Sequence, residues 1–100
     1  MWAQLIKARL KPGQEEQQRT IARNFEARCR AEGIGPTRVM IFQNQKDPAE
    51  QYHVAFFESE EQAREFERDP RQAEMTGGFS DVYEGPPEYV DLTPFLELSR

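Results

Sequence analysis

A second cysteine is missing from this sequence: Cys29 stands alone among 100 residues, which excludes an intrachain disulfide and any cysteine-rich zinc site. Four positions after Phe25, the lone thiol reads as a small apolar side chain on the inner face of a helix. Histidine is as scarce. His53 is the only one, so imidazole-rich metal sites are excluded and only carboxylate clusters are left for that role. Basic residues are in deficit, with 13 Lys and Arg against 18 Asp and Glu and a net charge of -5. That balance argues against nucleic-acid and anionic-membrane binding, both of which need a basic surface. No apolar run approaches the ~20 residues of a membrane span, and the opening MWAQLIKARLK has no signal-peptide core. A cytoplasmic protein is expected. Glycine-rich phosphate loops and the nucleophile-elbow pattern are absent too.

What is present is organised by punctuation. Trp2 to Leu10 alternates as a strand, with Trp2, Ile6, Ala8 and Leu10 on one side and Ala3, Leu5, Lys7 and Arg9 on the other. Lys11-Pro12-Gly13 ends it, and Gly13 is expected to cap a helix opened by Gln14, Glu15 and Glu16. Ile21, Ala22, Phe25 and Cys29 form that helix's apolar stripe. Glu15/Arg19 and Glu26/Arg30 have the spacing of solvated ion pairs. Gly33 supplies the left-handed helix stop, with Ile34 closing over it. Thr37 to Asn44 is a second strand, Gln45 to Pro48 a turn, and Tyr52 to Glu58 a third strand completing a hairpin. Ser59 and Gln62 match a capping box, Ala63 and Phe66 face inward, and Pro70 ends or kinks the helix they belong to. Gly77-Gly78 is expected to stop any continuation. Ser80 to Tyr83 reads as returning strand interrupted by Gly85-Pro86-Pro87, with Glu88 to Leu92 strand again.

The order is β-α-β-β-α-β, an α+β, ferredoxin-like arrangement in one domain over residues 1–100. Such a sheet carries both helices on one face. Here both faces carry bulky apolar residues (Val39 and Ile41 on one, Met40 and Phe42 on the other), so the bare face calls for a partner. A homodimer through the open sheet face is expected, with residues 85–100 as an arm toward the partner subunit.

Together these features resemble the antibiotic-biosynthesis-monooxygenase-like family of dimeric α+β barrels. The resemblance covers most of the chain. It rests on the first strand ending in Lys11-Pro12-Gly13, the long helix, the passage from Phe57 through Ala63 and Phe66, and the late aromatic strand. It implies a homodimer with a pocket between sheet and helices in each subunit. In some members it implies oxygenation of polycyclic phenols without metal or flavin, hence no cofactor. Haem-degrading members resemble this chain less, because they place a histidine on or near the second helix and Ser59 to Gly78 has none.

A cofactor-free oxygenase must remove a proton from an acidic C–H or O–H and hold the anion in a dry cavity. His53, the one side chain with an ordinary pKa near neutrality, is the candidate base. Trp2, Tyr52 or Tyr83 are candidate flat walls, and Gln4 or Asn44 candidate orienting amides. The pleat separates Tyr52 from His53, leaving Trp2, Gln4, Asn44 and Tyr83 as the candidate pocket. Against this stands a structural role for His53 at a dimer interface or satisfied surface, and for Trp2 in the core. RNA-recognition domains share the strand order, and Phe57 to Ala63 resembles their third-strand-to-helix passage. Aligned on Phe57, however, the chain lacks their basic start and one platform aromatic. A non-catalytic small-molecule binder of the same fold is the alternative function.

Overall fold

The computed structural model describes residues 1–100. In chain order the elements are β1 (Trp2–Arg9), α1 (Glu15–Glu32), β2 (Arg38–Gln43), β3 (Glu50–Phe57), α2 (Glu60–Arg68), α3 (Pro70–Thr76), a 3₁₀ segment (Gly77–Val82) and β4 (Glu88–Leu92). The strands form one antiparallel sheet in the order β2-β3-β1-β4. This is the ferredoxin-like α+β fold. No helix is long and apolar enough to cross a membrane.

Register decides which side chains share a face. Ile6 lies opposite His53 on β3 and opposite Tyr89 on β4, while His53 lies opposite Ile41 on β2. Residues paired across a ladder point the same way, so Ile6, Ile41, His53 and Tyr89 stand on one side together with Gln4, Gln51 and Ala55. The helices cover that side. Trp2, Ala55 and Phe57 from the sheet pack with Ala63 and Phe66 of α2 and Met75 of α3, and Phe25 and Cys29 of α1 close the cluster. Burying an aromatic or aliphatic side chain of this size stabilises by roughly 1.5–3 kcal/mol. A second cluster forms at the other end of β1, where Ala8 and Leu10 meet Val82 and Tyr83 under Ile21 and Phe79. The opposite face presents Leu5, Met40, Tyr52, Val54, Phe56 and Val90, all half-buried, with Phe42 48% exposed.

The expected helix and strand boundaries hold at most junctions, with three corrections. The cap of α1 is Gln14 rather than Gly13, and no side chain bonds there. Gly13 takes a φ of 76° just before it and turns the chain into the helix. The capping box is half made. Ser59 Oγ accepts from Gln62 N–H at 3.1 Å, but the Gln62 amide donates to Glu58 Oε2 instead of reaching back. Ser80 to Tyr83 is not a strand: Gly77–Val82 coils as a 3₁₀ segment, and only Tyr83 makes an isolated bridge, to Leu10. Packing explains this outcome, because the coil is what drops Val82 fully into the second cluster and brings Phe79 against Phe25, with ring centroids 5.9 Å apart. Gly77 and Gly78 therefore continue the chain from α3 into this coil.

Elsewhere the expected devices operate. Gly33 has a φ of 66° and its N–H bonds to Cys29 carbonyl oxygen at 2.9 Å, closing α1. Pro70 divides α2 from α3, and the Asp69 carboxylate caps the new helix by accepting from Arg71 N–H. The ion pairs on α1 differ from the expected ones: Arg19 meets Glu16, three residues before it instead of four, and Glu26 meets Arg23, three residues before it, instead of Arg30. At the far edge β4 is tied to α2 by Arg64, which pairs with Asp91 at 2.8 Å and with Glu60, and lies 5.0 Å from the Trp2 ring centre.

Candidate functional site

The two clusters leave space between them. A cavity of about 1170 Å³ lies between α1 and the helix-side face of the sheet, floored by Gln4, Ile6, Ile41, Gln51, His53 and Ala55. Its size suits a drug-sized organic ligand. The roof is α1, and Phe79 and Tyr83 close the end nearest the second cluster. α1 does not reach across to β2, so Val39 and Ile41 remain 42% and 38% exposed on the same wall.

On the floor of the cavity sits a buried polar group. His53, Gln51 and Gln18 are all buried, the first two by alternation along β3 and the third from the first turns of α1. Gln18 Nε2 donates to Gln51 Oε1 at 2.6 Å, and Gln51 Nε2 donates back to Gln18 Oε1 at 3.0 Å. The same Gln51 Oε1 lies 3.0 Å from His53 Nε2. An amide oxygen only accepts, so His53 Nε2 carries the hydrogen and Nδ1 is left as an acceptor. Facing Nδ1 is Tyr83 Oη, at 3.4 Å. The two rings meet edge to face with centroids 5.8 Å apart, and Phe79 stacks on Tyr83 at 15°. No buried side-chain nitrogen or oxygen is left without a partner.

Burial sets the charge state here. With no cation or anion bonded to it, His53 loses hydration and its pKa falls to about 4, because a low-dielectric setting disfavours the imidazolium. The same effect pushes the Tyr83 hydroxyl up to about 12. Both groups are neutral at physiological pH. The cavity therefore offers one neutral nitrogen acceptor, one hydroxyl and a pair of amides, within walls that mix apolar side chains with charged ones from α1 and β2.

Of the expected site residues, the fold brings His53 and Tyr83 together. Gln4 also lines the cavity, where its amide donates to Asp91 Oδ1 at 3.1 Å. Trp2 does not join them: it belongs to the core cluster, covered by Arg64. Asn44 lies in the β2–β3 turn, where it bonds to Glu50 and to Lys46 N–H. His53 faces the helices, so a place for it on the open face or the surface is ruled out. Gln18 and Gln51 were missed by sequence reading, although each breaks an apolar pattern. Gln18 lies on the Ile21, Ala22, Phe25 stripe and Gln51 on the His53, Ala55, Phe57 alternation, and polar residues at inward positions are the available signal. No group of three or more His, Cys, Asp or Glu side chains comes together that could hold a metal ion.

Solved structures share this architecture over nearly the whole chain. One from Nitrosomonas europaea, named "Putative antibiotic biosynthesis monooxygenase", superposes with a TM-score of 0.73 at 17% identity, covering 96% of this chain and all of its own. One of the same name from Chloroflexus aurantiacus gives 0.68 at 18% identity, covering 99% and 98%. A third, from Caulobacter crescentus, gives 0.76 at 8% identity, covering 95% and 90%. The chain has the antibiotic-biosynthesis-monooxygenase-like fold. No protein-family model and no curated protein matches the sequence. Identities this low carry the fold and not the reaction, so what the cavity does has to be argued from its own residues.

Proposed function

We propose that this protein is a cofactor-independent, monooxygenase-like protein acting on a small aromatic or polyketide-like substrate. The observation that carries the reading is the neutral His53–Tyr83 pair buried at the wall of a ligand-sized cavity. His53 Nδ1 would take a proton from an activated CH₂ or phenolic O–H of the substrate. The resulting anion is electron-rich enough to react with dioxygen, forming a C–O bond and a hydroperoxide. Loss of water then leaves a carbonyl where the CH₂ stood. One oxygen atom stays on carbon and the other leaves in water, so the four electrons come from substrate and no external reductant is consumed. His53 returns its proton to the departing oxygen. Phenolic and anthrone-like compounds incubated with the protein under oxygen should gain a carbonyl oxygen, detected by mass. His53→Ala should reduce that turnover by roughly 10²–10⁴-fold, the usual worth of a general base. Turnover unchanged in His53→Ala would remove the base from the scheme.

The second reading, a non-catalytic small-molecule binder, is favoured by one observation: a nitrogen whose pKa is held near 4 is a weak base. Thermal-shift gains with the same compounds, without product, would support it.

We also infer a homodimer formed through the open sheet face. Half-buried Leu5, Met40, Val54, Phe56 and Val90 with exposed Phe42 make an apolar surface of the kind that marks an interface. β4 is occupied by its own β1, which leaves the stretch after Leu92 to act as the arm. Phe95, 98% exposed, would be its anchor. Cytoplasmic residence fits this reading as part of the proposal.

A further inference from the structure

The reciprocal Gln18–Gln51 amide pair joins α1 to β3 and leaves Gln51 Oε1 shared between Gln18 Nε2 and His53 Nε2. We propose that this pair is a positioning device which fixes His53 as the Nε2–H tautomer. The cavity then holds a single acceptor nitrogen, Nδ1, that selects ligands presenting a neutral O–H, phenolic or enolic. The selection of ligand rests on the function proposed above; the tautomer assignment does not.

Three observations carry it. First, the amides bond each other through both ends, so neither side chain can rotate without breaking the other's contacts. A lone amide could present either its oxygen or its nitrogen to the imidazole; these two can reverse only together, and that reversal would have to carry His53 into its other tautomer at the same time. Second, Nδ1 already faces an O–H group. Tyr83 Oη stands 3.4 Å away, longer than the O–H···N contacts that bury well, so this bond is weak and can be exchanged. A ligand hydroxyl taking that position replaces one O–H donor by another, and Tyr83 can turn to the ligand oxygen. Third, no charged side chain is bonded to the cluster. The groups bonded around His53 are Gln18 from α1, Gln51 on its own strand and Tyr83 after the 3₁₀ segment, while Arg19, Arg23, Glu26 and Arg30 of α1, Arg38 of β2 and Glu58 after β3 line other parts of the wall. An anionic carboxylate edge would meet uncharged acceptors at the floor, whereas a phenol or enol finds both its donor and its acceptor sites answered.

The chain has one histidine, so long-range ¹H–¹⁵N correlation of the imidazole reports on His53 alone, with no ligand needed. In the unmodified protein at neutral pH, Nε2 should resonate as a pyrrole-type and Nδ1 as a pyridine-type nitrogen. Gln51→Leu should convert this into a mixture of tautomers while amide dispersion shows the fold intact. Gln51→Glu, which retains the shape but places a carboxylate against Nε2, should raise the His53 titration midpoint by roughly 1–3 units. Gln18→Met should loosen the tautomer preference without adding charge, a change that a purely structural amide would not produce. An Nδ1–H tautomer in the unmodified protein, or the same single tautomer in Gln51→Leu, overturns the positioning role. Should the tautomers behave as expected and phenols still fail to perturb the Nδ1 resonance, the ligand class is wrong while the positioning device stands.

Discussion

At the residue scale, His53 links structure to a measurable pH dependence. Its pKa falls from 6.5 to about 4 on folding because burial strips hydration from the charged form. Between those two values the unfolded chain binds a proton that the folded chain does not. Stability is therefore complete above the unfolded value and declines as pH falls toward the folded one, by on the order of 3 kcal/mol. Asp69, held down at about 2 by Arg71, acts below that window and leaves it clear. Urea midpoints should drop as pH is lowered from neutrality toward 4, and the drop should largely vanish in His53→Gln. A His53→Gln protein with the same pH slope would assign the effect to other groups. The residue scale is also where sequence reading was least complete. His53 and Tyr83 could be named because their chemistry is rare in this chain, whereas Gln18 and Gln51 look like any surface glutamine until register and helix phase are combined. Trp2 was drawn toward the pocket by its size, yet its place is decided by Phe57 and Phe66 behind it.

At the element scale, periodicity and punctuation made most of the fold legible. β1, α1, β2, β3 and α2 follow from alternation, a glycine stop, a serine cap and a proline break, all of them local. The 3₁₀ segment was not legible, since whether Gly77 to Val82 extends or coils depends on a pocket formed by Ile21, Phe25 and Leu10, far away in sequence. A comparable long-range constraint governs Gly35, in the turn between α1 and β2. It has a φ of 90°, and a Cβ added there would stand 2.8 Å from Cys29 Sγ and 3.5 Å from the Phe66 ring. Gly35→Ala should therefore cost more than the roughly 1–2 kcal/mol of a left-handed backbone alone. Adding Cys29→Ala should recover the steric part and leave the backbone part, so the two changes should be non-additive in chemical denaturation. Strict additivity would show that the turn relaxes away from the thiol.

At the scale of the whole molecule, the sheet has two unlike faces. β3 divides them residue by residue, with Gln51, His53 and Ala55 toward the cavity and Tyr52, Val54 and Phe56 toward the open side. The proposed dimer can thus be tested without touching the site. Light scattering at micromolar concentration should give twice the chain mass, and Val54→Glu should halve it by placing a charge on the buried interface. A monomeric mass for the unmodified protein would defeat the dimer. That one face is left bare of helices was readable from sequence, because two-sided apolar strands stand beside only two helices; the cover proposed for it is what these measurements test.

The strand order β2-β3-β1-β4 has a consequence for how the chain is made. β1 precedes the other three strands of the sheet and occupies an inner position, yet its neighbours are β3 and β4. Its backbone donors and acceptors cannot all be paired until Glu88–Leu92 has left the ribosome. Contacts of such wide sequence separation slow folding, and an unpaired strand edge meanwhile invites association with other nascent chains. The growing polypeptide can close its hairpin and helices early, but the sheet is finished only once β4 has emerged.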